Sequence, residues 1–131
     1  MNINKIKKFL IETDILVDFL TQQGTKHSSA LVNIMQKGIC FTSVINASEM
    51  YFIAKSDFEK EKLNNLFYAI NVLGIHSRYS LLVPKVSANF KNYRDALFYI
   101  LAEQNRLTIV TQNPEKYLGL KAESLHPSQI F

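Results

Sequence analysis

Residues 39–52, ICFTSVINASEMYF, change character in the middle, and that change decides the fold class. In the first five, ICFTS, all but the closing serine are apolar or β-branched, the composition of a short buried strand. Ser43 then stands where a hydroxyl can accept the free amides of a following helix, which predicts it as the N-cap of VINASEMYFIAK. A strand running straight into a capped helix is half of a βαβ unit, and such units build parallel sheets covered by helices.

Reading upstream, KKFLIE (7–12) predicts a buried strand, and Thr13 or Asp14 caps a helix through ILVDFLT that Gly24 ends. Thr25 starts a second helix, in which Ala30, Leu31, Ile34 and Met35 fall at helical spacing and Gly38 supplies a left-handed stop. Downstream, Ser56 and Glu59 have the capping-box spacing that opens FEKEKLNNLFYAINVL, closed by Gly74. Ile75 is a candidate start for a short strand, and Pro84 argues against one helix through SLLVPKV. Asn92 or Tyr93 precedes the helix RDALFYILAEQN, striped by Ala96, Leu97, Ile100 and Leu101, and the strand LTIV follows. The alternation predicts an α/β fold with a central, mostly parallel sheet, whose ligand site lies beyond the carboxyl ends of the strands.

The 131 residues are 47% apolar, enough for one core, and no linker or repeat divides them, so a single domain over 1–131 is expected. The apolar run Phe9 to Ile11 is too short for a secretory signal, and no stretch approaches the roughly 20 apolar residues of a membrane span. A soluble, cytoplasmic protein with no membrane partner is expected. Cys40, inside ICF, reads as a small buried hydrophobe. Fifteen Lys plus Arg against eleven Asp plus Glu give +4, which favours an anionic partner only weakly; Lys5, Lys7 and Lys8 serve equally well to solvate an exposed segment. His27, His76 and His126 share no ligand-like spacing, the glycines form no phosphate loop, and a nucleophile elbow is absent. Phe67, Tyr68, Phe98 and Tyr99 read as core or dimer-facing residues rather than base-stacking platforms.

Acids follow the strands. Glu12 and Asp14 come after the first, Glu49 lies on the helix after the second, Asp95 opens the helix before LTIV, and LTIV runs into Thr111, Gln112 and Asn113. Oxygen donors converging from separate elements suit Mg²⁺ or Mn²⁺. Asp14 and Asp95 also fit as first-turn acids favoured by a helix dipole. Glu49 is different: it lies among apolar and small residues, so it needs a partner or an exposed face.

ETDILVDFL, TSVINASEMYF and RDALFYILAEQNRLTIVTQNPEKY resemble, in order and spacing, the three signature segments of PIN-domain ribonucleases, over roughly residues 8 to 117. The best match is to the small bacterial PIN proteins, many of which act as toxins in VapC-type toxin–antitoxin pairs. The resemblance implies a PIN-like three-layer α/β/α sandwich and a metal-dependent endoribonuclease in which Glu12, Glu49 and Asp95 hold Mg²⁺ or Mn²⁺. It makes these three and Asn113 catalytic, and places Asp14, Thr111 and Lys116 against the substrate. The implied partners are RNA, a cognate antitoxin and a second copy of the chain in a homodimer. The chain departs from the family at Glu12, where Asp is usual, and at Lys116, where many relatives have an acid shortly before an aromatic, here Tyr117. Relatives also tend to be acidic near Asn92 and Arg94. These departures motivate an alternative, a PIN-like module that binds RNA or protein with weakened or lost nuclease activity. A receiver-like phospho-acceptor domain also has acids after its first strand, but the position of Asp95 before LTIV does not suit it.

Overall fold

The computed structural model describes residues 6–22 and 29–130. Five strands, β1 (Lys8–Ile11), β2 (Ile39–Ser43), β3 (Asn71–Leu73), β4 (Thr108–Val110) and β5 (Ser124–Leu125), form one sheet in the order β3-β2-β1-β4-β5. Every pairing is parallel. Among the described residues, six α-helices, α1 (Thr13–Thr21), α2 (Ala30–Met35), α3 (Val44–Ile53), α4 (Asp57–Ala69), α5 (Val83–Val86) and α6 (Tyr93–Gln104), fill the connections with several short 3₁₀ turns.

Alternation along β1 divides the core. Phe9 and Ile11 join Ile15, Leu16, Leu31, Ile34, Met50, Leu63 and Val110 on one face, while Leu10 joins Phe98, Tyr99, Leu101, Ile109 and Tyr117 on the other. Both faces of the sheet are covered, giving the expected α/β/α layering, and β1 is apolar on both sides for that reason. The chain builds outward from β1 through β2 to β3 and then crosses to β4 on the opposite side, so the order of the strands reverses between β1 and β4. A crevice opens beyond the carboxyl ends of strands at such a reversal.

Local chemistry corrects several expectations. The first helix is capped neither by Thr13 nor by Asp14: Glu12 is the N-cap, extended at φ −80°, ψ 160°, with its Oε1 accepting from the Thr13 amide. Its own amide still bonds Val110 O at 3.1 Å, so Glu12 is the last residue tied to the sheet and the first to order the helix. Gly24, Thr25, His27 and Lys5 lie outside the described residues; α1 ends at Thr21 with Gln22 as its C-cap, and α2 begins at Ala30 under a Ser29 cap. Gly38 is not a left-handed stop, since Gly119 is the described glycine with positive φ. It is required by close approach instead: a Cβ there would stand 2.5 Å from Lys7 O and 2.8 Å from Phe9 Cε2.

α4 stops at Ala69, before Gly74, because Asn71–Leu73 pair with Phe41–Ser43 as β3; sheet pairing outweighs the helical continuation read from INVL, and the short strand starts earlier than Ile75. β5 is too short to have a sequence signature. Ser43 caps α3 as expected and forms a capping box with Asn46. Pro84 interrupts its segment into 3₁₀ and α pieces. Cys40 is buried, and burial pushes its thiol up to about 12. Phe98 and Tyr99 are core, whereas Tyr68 is exposed. His76 and His126 cap surface turns. Among the described residues, no helix is long and apolar enough to cross a membrane.

Candidate functional site

Three elements deliver carboxylates to the crevice beyond β1 and β4. Glu12 directly follows β1 and is buried. Glu49 projects from the middle of α3 with its side chain 41% exposed, and Asp95 sits in the first turn of α6, where Asn92 Oδ1 accepts its amide at 2.9 Å. The α3 cap ties two of these elements together. Asn46, fully buried, accepts from the Ser43 amide through Oδ1, leaving its Nδ2 to donate to Glu12 Oε1 at 2.9 Å and Thr13 Oγ1 at 2.8 Å. Thr13 Oγ1 donates onward to Glu49 Oε1 at 2.9 Å.

The centre of this cluster is a guanidinium. Arg94 NH2 lies 2.7 Å from Glu12 Oε1, 2.7 Å from Glu49 Oε1 and 2.8 Å from Thr13 Oγ1. Arg94 NH1 lies 3.1 Å from Glu12 Oε2 and 3.0 Å from Asp95 Oδ1. Lys116 Nζ takes the other oxygen of Asp95 at 2.8 Å, and the Tyr117 hydroxyl donates to Glu12 Oε2 at 2.9 Å. The fork of Arg94 therefore engages Glu12 through both oxygens, the geometry in which a guanidinium binds a carboxylate most firmly.

Ionisation follows from this packing. Burial raises the Glu12 carboxyl, but the hydrogen bond and charge of Arg94, with the Thr13 amide and Tyr117 hydroxyl, outweigh it and hold the group below its usual value. Asp95 behaves alike: burial raises it, and Lys116 and then Arg94 bring it below the usual range. For Arg94, burial works against the charge, yet Glu12 and Glu49 raise its pKa, so the guanidinium stays charged. Burial and the neighbouring Glu12 charge raise Tyr117, keeping it a neutral donor.

Glu12, Glu49 and Asp95 are thus brought together, with Lys116 beside them. Asp14 is not part of that cluster: its Oδ2 accepts from Thr111 Oγ1 at 2.7 Å and the Gln112 amide at 3.0 Å, joining α1 to the end of β4, while its buried Oδ1 has no hydrogen-bond partner. Asn113 is exposed on the same edge, its amide donating to Thr111 Oγ1 at 3.2 Å. A shallow apolar hollow of about 530 Å³, lined by Val44, Ile45, Ser48, Glu49, Phe52 and Ile53, adjoins the cluster on α3. Sequence reasoning did not place Arg94, Tyr117, Asn46 or Thr13 in the site. One signal for Arg94 was available: a cation in the first turn of α6 opposes the helix dipole and so calls for carboxylate partners.

The donor types suit a hard divalent ion, but their arrangement does not. Every oxygen of Glu12 and Asp95, and Oε1 of Glu49, already accepts from Arg94, Lys116 or a neutral donor. Among the described residues, no three carboxylate, imidazole or thiolate side chains stand together in a way that could hold a metal ion.

The family model for the PIN domain matches residues 9–117. The chain belongs to the PIN domain family. Solved structures share the fold of this PIN domain at low identity. A toxin–antitoxin complex from Klebsiella pneumoniae matches at 18% identity and TM-score 0.73, covering 90% of this chain and 96% of that one. VapBC2 from Rickettsia felis, bound to a DNA fragment from its promoter, matches at 16% and 0.71, covering 91% and 98%. DNA-bound VapBC from Salmonella typhimurium matches at 15% and 0.73, covering 93% and 99%. No curated protein sequence matches this PIN domain.

Proposed function

We propose that this PIN domain, spanning 1–131, is a toxin-type endoribonuclease of the cytoplasm that hydrolyses RNA phosphodiester bonds weakly and is silenced by an antitoxin. The observation that carries the reading is the convergence of Glu12, Glu49 and Asp95 at the β1–β4 crevice of a PIN fold. Family membership supports nuclease chemistry. The toxin–antitoxin complexes that share the fold, and the apolar hollow on α3 beside Glu49, support a protein partner at the mouth of the site. Homodimerisation belongs to the same reading, and sedimentation velocity measures it directly.

Mg²⁺ or Mn²⁺ held by the three acids, which the resemblance implied, does not fit this arrangement, so the roles fall to the chain's own groups. Lys116, 39% exposed, is the cation open to an RNA phosphate. Glu49, the most exposed acid of the cluster, is placed to take a proton from an attacking oxygen. Thr111 and Asn113 flank the backbone path on the β4 side. With much of the positive charge already paired to carboxylates, little is left to stabilise a phosphoryl transition state, and slow turnover follows.

A second reading is favoured by the saturation of Glu12, which accepts from Thr13, Asn46, Arg94 and Tyr117: a module that binds RNA or protein without turnover. End-labelled structured RNAs incubated with purified protein separate the two. Slow cleavage that Glu49→Gln and Asp95→Asn abolish supports the nuclease; retention on a filter with intact RNA supports the module. Absence of any RNA cleavage contradicts the nuclease reading, and absence of RNA binding as well contradicts an RNA-binding module.

A further inference from the structure

The charged centre of the acid cluster is supplied by the chain. We propose that Arg94 is a resident cation that excludes divalent ions from the site, and that removing its guanidinium turns Glu12, Glu49 and Asp95 into a Mn²⁺-binding site. This concerns ion binding alone and stands apart from RNA turnover.

Occupancy comes first. Two nitrogens of Arg94 reach Glu12, Thr13, Glu49 and Asp95, all within 3.1 Å. A divalent ion such as Mg²⁺ binds oxygen at about 2.0–2.1 Å, and it needs lone pairs that these carboxylates now direct at N–H groups. The oxygens that would ligate an ion are the ones that accept from Arg94, so the two occupants are mutually exclusive.

Charge points the same way. Three carboxylates face Arg94 and Lys116, so most of the negative potential that would attract a divalent ion is already neutralised. An ion entering beside Arg94 would meet like charge at close range in a partly buried crevice. Arg94 is also held in place: its side chain is only 21% exposed, and its guanidinium carbon packs 5.6 Å from the centre of the Phe98 ring. It stays at the positive end of α6, an unfavourable location for a cation, because the acids outweigh the dipole. Without it, the three acids retain the oxygen-rich donor set of a Mn²⁺ or Mg²⁺ site.

The test is Mn²⁺ titration of the purified full chain by calorimetry, paired with thermal unfolding with and without about 1 mM MnCl₂, since an ion that binds only the folded state raises the midpoint. Arg94→Ala opens the centre, and Arg94→Met keeps an apolar stem against Phe98 should the alanine variant not fold. Wild type is expected to show no saturable binding and an unchanged midpoint. The folded Arg94 variant is expected to bind Mn²⁺ at least about tenfold more tightly and to gain stability from it, and adding Asp95→Asn should remove both effects. Saturable Mn²⁺ binding by wild type that Asp95→Asn abolishes overturns the proposal, as does a folded Arg94→Met protein that binds Mn²⁺ no better than wild type.

Discussion

Glu12→Gln keeps the shape of the side chain and removes its charge, which isolates what the carboxylate contributes. Gln can present its oxygen where Oε1 now accepts from the Thr13 amide at 2.9 Å, Asn46 Nδ2 at 2.9 Å and Arg94 NH2 at 2.7 Å. Its amide nitrogen must then replace Oε2. There it meets Arg94 NH1 at 3.1 Å, donor against donor, and the Tyr117 hydroxyl, which can turn to accept. Removing one partner of a buried ion pair costs about 3–5 kcal/mol. Arg94 keeps Glu49 and Asp95, so the lower end applies, about 3 kcal/mol. For a chain of this size that lowers the unfolding midpoint by roughly 11 °C. Urea unfolding at neutral pH measures the free energy directly, and a double-mutant cycle with Arg94→Met tests the cause. Because removing both partners leaves no unpaired buried charge, the double variant should be more stable than the sum of the single losses requires, by about 1 kcal/mol or more. A loss under about 0.5 kcal/mol for Glu12→Gln, or strict additivity in the cycle, would refute the buried pairing.

Tyr117→Phe deletes one buried donor to Glu12 Oε2 and should cost about 1 kcal/mol, read as a lower urea midpoint with an unchanged slope. Acid should destabilise the fold through the same cluster. Glu12 and Asp95 are held below their ordinary values of 4.5 and 3.8, so the unfolded chain binds more protons: the stabilisation is present above those values and is lost as pH falls below them through the lower folded values, measurable by urea titration across the acid range. Gly38→Ala sets a Cβ against the Lys7 carbonyl at 2.5 Å, forcing β1 and the α2–β2 turn apart; a loss of about 1–3 kcal/mol is expected, and a gain in thermal midpoint would contradict the close approach.

The strands and caps that were legible are those where local chemistry is decisive. Ile39–Ser43 came out with its bounds because a short apolar run meets a serine cap, and Ser43 with Asn46 then completes the helix start. β3 was not legible: Asn71–Leu73 continue the apolar spacing of α4, and only pairing with Phe41–Ser43 makes them a strand. β5 is two residues long and exists through its neighbour β4. The acids of the site could be read because strand ends bring them to one edge. Their partner could not be read so directly, since Arg94 lies beside Asp95 in sequence yet bonds Glu12 across 82 residues, and no periodicity records that contact. Lys116 was noticed as a departure, but its pairing with Asp95 depends on how the chain turns after β4.

A guanidinium, rather than a metal ion, holds the acid cluster together. A crystal structure from crystals soaked in MnCl₂, with anomalous scattering recorded for manganese, tests it most directly. The Arg94 guanidinium is expected within hydrogen-bonding distance of Glu12, Glu49 and Asp95, with no anomalous peak among them. A manganese peak between those carboxylates, with Arg94 turned out of the crevice, would contradict it.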